Sequence, residues 1–282
     1  GVFALRGSPI QVNYLGYPAS MGASYMDYII ADPDTVLPEH ERHYDERVVR
    51  LPDTFQANDR LRPYPSRIPS RGELGLPENV IVFCSFNSLT KLSPSVFDAW
   101  MDIMKEADNC LLWLLSEGAA SERNLKREAE ARGIAPERLL FAPRVPYAEY
   151  LARFRAADLF LDTFPFNGGT TISDALWMGL PVVTLSGETF ASRMARSLLR
   201  ATGLAELATD SFPAYRQLAV ELARDRSRLT AMRAKLDAER ATSPLFDTAR
   251  FCRHIEAAYV TMYERHQRGD APASFAVPRI DR

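Results

Sequence analysis

Residues 158–177 read Asp158-Leu159-Phe160-Leu161-Asp162-Thr163-Phe164-Pro165-Phe166-Asn167-Gly168-Gly169-Thr170-Thr171-Ile172-Ser173-Asp174-Ala175-Leu176-Trp177. An apolar run ends at Asp162, a loop with two glycines follows, and a helix opens at the paired threonines. Apolar runs of this length without alternation are the mark of strands buried on both faces, as in a parallel sheet.

The same unit recurs on either side. Val80 to Cys84 is a near-continuous apolar strand, and Ser93 then caps a helix with Pro94 at its first position and Phe97, Trp100, Met101 and Met104 at helical spacing. Further strands are predicted at Leu111 to Leu115, Arg138 to Ala142 and Pro181 to Leu185. Helices are predicted at Ser121 to Arg132, Ala148 to Ala156, Thr171 to Met178 and Thr189 to Arg200. Strand–helix alternation at this spacing means right-handed crossovers and a doubly wound parallel sheet, with ligand sites outside the carboxyl ends of the strands. Beyond Gly203 only helices are expected, the last from Asp247 to about Gln267, either covering the sheet or crossing to a neighbouring domain.

Upstream the pattern is weaker. A strand at Ile10 to Leu15, a turn at Gly16 to Pro18, a second apolar run at Met26 to Ala31 and a short solvated helix at Pro38 to Arg47 are expected. The Pro-, Arg- and Asn-rich stretch after Ala57 contains the linker. The expected division is 1–60, a linker at 61–78, the regular α/β unit at 79–246, and a C-terminal helix and tail at 247–282. The chain opens on Gly1 and reads as starting inside a domain.

Composition narrows the function. Of 282 residues 46% are hydrophobic and 25% charged, a globular balance, and no apolar run approaches the length of a membrane span. With 34 basic and 36 acidic residues the net charge is −2, which supplies no field for nucleic acid or an anionic membrane. Any anion site must be local. Three widely spaced cysteines without a ligand pattern point to a reducing cytoplasm and against a structural metal.

The glycine loop suits a local anion site. Gly168 and Gly169 let backbone amides approach an oxyanion, the first-turn amides and the helix dipole favour negative charge, and the Thr170 and Thr171 hydroxyls add donors. Asp174, one turn in, suits a ribose diol rather than a phosphate. The same residues also suit a plain turn at Asn167-Gly168-Gly169 and a capping pair between Thr171 and Asp174. A second strand end is more telling. Phe86 to Pro94 follows the first strand of the same sheet and sets Lys91 just before a helix, on the face where the glycine loop lies; a lysine there offers a point charge to a phosphate. Glu117 and His254 have no visible partner, the three tryptophans read as core, and neither a Ser-His-Asp order nor a metal constellation is present.

Together these residues resemble the catalytic region of the O-linked N-acetylglucosamine transferase and SPINDLY family, of the bacterial type with tetratricopeptide repeats. Phe3 to Arg6 with Pro9 to Gln11, Leu15 to Pro18 and Met26 to Ile30 are similar to the end of its first lobe. Phe86 to Lys91, Leu161 to Thr163, Asn167 to Thr171, Gly187 to Thr189, Ala191 to Arg193 and Ser243 to Phe246 are similar to its second. The resemblance implies a glycosyltransferase-B fold, with a complete C-terminal Rossmann-like lobe and the tail of a preceding one. It implies metal-independent, inverting transfer from a nucleotide sugar, UDP-N-acetylglucosamine, to serine or threonine of proteins presented by upstream repeats, with no tightly bound cofactor. By similarity Lys91 meets the donor diphosphate, Thr170 and Thr171 its phosphates, Asp174 the ribose, and the main chain at Val145 the uracil, with Asn167, Gly168 and Gly169 forming the loop.

Four positions depart from the N-acetylglucosamine transferases. Gly169 stands where they carry a histidine, Tyr150 near another, Tyr147 near a lysine, and Ser88 at a donor-side glutamine. A GDP-fucose donor of the SPINDLY kind, a non-catalytic nucleotide-binding scaffold, and transfer to small molecules or asparagine remain open alternatives. The histidine-bearing front of the first lobe lies outside this chain, which is therefore not expected to catalyse transfer alone.

Overall fold

The computed structural model describes residues 1–107 and 109–280; positions 108, 281 and 282, in the segments expected at 79–246 and 247–282, lie outside the described residues. The chain first lays down three short parallel strands, β1 (Val12–Asn13), β2 (Tyr28–Ala31) and β3 (Arg47–Arg50). Only two residues of the run expected at Ile10 to Leu15 pair, because Leu15 enters the left-handed region at φ 61° and turns the chain away. The helix expected at Pro38 to Arg47 is a 3-10 turn over Pro38–His43, and Arg47 already belongs to β3.

The second sheet follows the alternation. In chain order come β4 (Ile81–Ser85), α1 (Pro94–Glu106), β5 (Cys110–Leu115), α2 (Ala119–Ala131), β6 (Leu139–Ala142), α3 (Tyr147–Arg153), β7 (Leu159–Leu161), α4 (Thr170–Trp177), β8 (Val182–Leu185), α5 (Met194–Ala201) and β9 (Ala208–Thr209). The strands are parallel in the order β6-β5-β4-β7-β8-β9. Every residue of β4, β7 and β8 is buried, which is why their sequences run apolar without alternation. Ser93 caps α1 by accepting from the Val96 amide at 3.4 Å, with Pro94 at the first helical position. The segment expected as one helix from Thr189 to Arg200 splits into a 3-10 turn at Phe190–Ser192 and α5.

Three helices follow, α6 (Phe212–Arg224), α7 (Arg226–Glu239) and α8 (Thr248–Gln267), and then β10 (Phe275–Ala276). Contrary to the expectation of helices only, the tail thus includes β9 and β10, two-residue strands too short to leave a periodic signal. β10 pairs with β3 and completes a first sheet of order β1-β2-β3-β10. The last helix crosses to that sheet: Ala258 and Met262 are buried with Tyr28, Ile30, Val49 and Leu51. The opposite face of the first sheet, through Ile29, Val48 and Phe55, packs on Phe190 and Met194 of the second lobe. Asp53, three residues after β3, is clasped by Arg250, Arg279 and His254 (Nδ1 at 3.5 Å), which gives His254 the partner its sequence did not reveal. His254 Nε2 also accepts from the Ile280 amide at 3.1 Å.

Candidate nucleotide-sugar site

In the second sheet the chain lays β4 first, adds β5 and β6 on one side, then returns past β4 to add β7. The order therefore reverses between β4 and β7, which pair through Phe83 with Leu159 and Cys84 with Phe160. A doubly wound sheet opens a crevice at such a switch point. Here the two loops leaving it are the Lys91 loop after β4 and the glycine loop after β7.

They touch. Lys91 Nζ donates to the Asn167 carbonyl at 2.9 Å and lies 4.2 Å from the centroid of the Phe166 ring. Burial lowers the lysine's pKa, and the nearby Asp162 carboxylate opposes that shift. Ser88 caps the 3-10 turn Leu89–Lys91, accepting from the Thr90 amide at 3.4 Å, so its visible role is to place the lysine. Leu89 N donates to Glu117 Oε1 at 3.2 Å, a partner for that glutamate that the sequence did not show.

Beneath the glycine loop lies Asp162, fully buried. Its Oδ1 accepts from Asn87 Nδ2, Thr163 N and Gly168 N, each at 2.9 Å, and its Oδ2 accepts from Thr184 Oγ1 at 2.7 Å. Burial pushes its pKa up to about 6, and these hydrogen bonds resist the shift. Asn167 is also buried, donating to Thr163 O and Leu185 O. Gly168 has no room for a side chain: a Cβ would stand 2.7 Å from Asn87 Oδ1 and 2.7 Å from Ile172 Cγ1.

The helix opened by this loop has no side-chain cap. Gly169 is the N-cap residue of α4, and the first main-chain bond back to the loop runs from Ser173 N to Gly169 O at 3.0 Å. Among the described residues the amides of Gly169, Thr170, Thr171 and Ile172 have no acceptor. The capping pair between Thr171 and Asp174 does not form, because Asp174 turns elsewhere: its Oδ1 accepts from Arg62 Nη1 at 2.7 Å and from the Tyr147 hydroxyl at 2.8 Å. Burial raises the Asp174 pKa, while Tyr147 and Arg62 hold it down. Burial and this carboxylate push Tyr147 up to about 12.

Lys91, Gly169, Thr170 and Asp174 line one cleft of about 530 Å³, a volume suited to a nucleotide-sized ligand. Its other wall comes from the first sheet and the turn after it, including Asn13, Tyr17 and Ile30. Asn167 and Gly168, in the loop itself, are buried and off the cleft wall, and the Thr171 hydroxyl sits beside Tyr150. Val145 precedes α3 and is not on the cleft wall, whereas its neighbour Tyr147 is. The sequence reading missed Arg62, which sat in what looked like a linker, and Asn58, which supports it. Their partners across the cleft, Asp174 and Ser173, are more than a hundred positions away, so no local spacing signals them. Among the described residues no cluster of three or more His, Cys, Asp or Glu side chains is placed to hold a metal, and no helix is long and apolar enough to cross a membrane.

Two parallel α/β sheets facing one cleft define the glycosyltransferase-B class. Sucrose-phosphate synthase of Thermosynechococcus elongatus shares the fold at a TM-score of 0.58 and 14% identity, over 85% of this chain and 59% of that one. The chain belongs to glycosyl transferase family 41, whose model matches residues 1–67 and 62–255. A mutant of the O-GlcNAc transferase of Thermobaculum terrenum superposes at a TM-score of 0.83 with 33% identity, over 93% of this chain and 49% of that one. The probable UDP-N-acetylglucosamine–peptide N-acetylglucosaminyltransferase SEC of Arabidopsis thaliana is 37% identical over 99% of this chain and 29% of its own length. The corresponding SPINDLY protein of Petunia hybrida is 32% identical over 97% and 29%. The chain thus spans less than a third of these two relatives.

Proposed function

We propose that this chain is the nucleotide-sugar-binding part of an inverting protein O-glycosyltransferase, moving N-acetylglucosamine from UDP-N-acetylglucosamine to serine or threonine. The observation that carries the reading is that Lys91, bonded to the glycine loop at Asn167 O, and the N-terminus of α4, which has no side-chain cap, open on one cleft at the switch point. A cation and a helix terminus converging there suit the donor diphosphate. They are worth most when charge grows on the departing UDP. Asp174 would take the ribose and the main chain near Val145 the base. The names of the relatives support the donor and the protein acceptor.

In this reading residues 1–60 are the end of the first lobe, 61–78 the connector and 79–246 the donor lobe, with upstream repeats presenting the acceptor. The transfer needs no metal, since Lys91 and the amides supply the positive charge, and the cytoplasm is the compartment. Calorimetric titration with UDP and GDP tests it. UDP binding is expected. Tighter binding of GDP would shift the reading to a fucose donor, and a folded protein binding neither would overturn it.

A further inference from the structure

We propose that Arg62, on the connector between the two sheets, is a positioning residue for the donor: it anchors one oxygen of Asp174 so that the other is presented to the ribose diol. The inference rests on the donor site proposed above and adds a residue from outside the lobe that holds it.

The geometry is specific. The side chains of Arg62 and Asp174 are 7% and 3% exposed, and Nη1 meets Oδ1 at 2.7 Å. Three more of the guanidinium N–H groups are taken by its surroundings. Nη2 donates to Asn58 Oδ1 at 2.9 Å and to Ser173 Oγ at 3.1 Å, and Nε donates to Asp59 O at 3.2 Å. Ser173 Oγ donates in turn to Asn58 Oδ1. The flat face of the group packs on Trp177 and Phe246, at 5.4 and 5.5 Å from their centroids. Arg62 is thus held by partners on several sides, and its Nη1 fixes the position of one Asp174 oxygen.

Tyr147 donates to the same Oδ1, so both protein donors converge on one oxygen. Among the described residues Oδ2 receives none, and Asp174 lines the cleft. An ionised carboxylate only accepts, and a vicinal diol offers donors. Without a fixed cation beside it, a carboxyl this buried shifts toward the neutral acid and keeps only the Tyr147 hydroxyl to orient it. The diol would then meet a poorer and misdirected acceptor.

The test compares binding of UDP with that of 2′,3′-dideoxy-UDP, which lacks both hydroxyls. The wild-type protein is expected to prefer UDP by about tenfold or more, the worth of a hydrogen bond to a charged group. Arg62→Met, which keeps the packed stem, is expected to bring the ratio close to one while cooperative unfolding is retained. Arg62→Lys returns the charge without the fork and is expected to recover part of it. A folded Arg62→Met with the wild-type ratio overturns the inference. If that variant does not fold, a wild-type ratio in Arg62→Lys overturns it equally. A wild-type protein that binds both nucleotides alike removes the ribose role of Asp174, and this inference with it, but leaves the donor site. Absence of UDP binding removes the site itself.

Discussion

Replacing Lys91 by alanine is the sharpest test of the switch-point site. The ammonium is half-buried, and its recorded hydrogen bond goes to a main-chain carbonyl, Asn167 O at 2.9 Å. Among the described residues no carboxylate forms an ion pair with it, so its charge is available to a ligand. At about 4 Å and an effective dielectric near 20, a unit charge and a phosphate oxygen attract by about 4 kcal/mol. Desolvation and the ordering of the side chain offset part of this, leaving the 1.5–3 kcal/mol or so typical of a charged hydrogen bond. UDP affinity should therefore fall roughly 10- to 150-fold, at about 1.4 kcal/mol per tenfold. Uridine, which has no phosphate, should bind the variant and the wild type alike. The diphosphate also favours the charged lysine, whose pKa burial has lowered. Wild-type affinity for UDP should thus decline as pH rises through that lowered value, and the decline should be absent from the variant. Calorimetry of both ligands across pH reads all of this. Unchanged UDP affinity, or an equal loss for uridine, would refute the electrostatic reasoning.

Gly168→Ala should destabilise by about 1–3 kcal/mol in denaturant titration and weaken UDP, because Asn87 and Ile172 are themselves pinned in the core. Gly169→Ala should stay within about 0.5 kcal/mol, since its Cβ would meet only the end of Gln56, 3.2 Å away. Asp162 carries a pKa near 6 in the fold against about 3.9 unfolded, so between those values the native state binds more protons. Its contribution to stability should therefore fall as pH rises through that window, by up to about 1.4 kcal/mol per unit. The difference between wild type and Asp162→Asn isolates that slope, and parallel curves would contradict it. Asp53 behaves oppositely: burial raises its pKa, but Arg250 and Arg279 outweigh this and hold it low. Its stabilisation should be present above the unfolded carboxyl pKa near 3.9 and be lost as pH falls through its depressed value. Asp53→Ala should cost about 3 kcal/mol at neutral pH by thermal or chemical unfolding.

The sequence by itself determined the second lobe. Burial on both faces leaves uninterrupted apolar runs at β4, β5 and β7, and caps such as Ser93-Pro94 mark the helices between them, so alternation and the strand ends were both legible. Lys91 and the glycine loop stood out for the same reason: their chemistry is local to a strand end. Short strands such as β9 and β10 were not legible, because two residues cannot show a period and their pairing depends on sheets already formed. The tertiary structure alone decided what meets what. The reversal of strand order between β4 and β7 brings Lys91 to Asn167. Asp174 could be read as a ribose acceptor or a helix cap from its spacing, and only the fold turned it to Tyr147 and to Arg62, 112 positions upstream. A buried ion pair between distant segments leaves no periodicity behind; it exists only once the core has brought the two segments together and excluded water from both charges.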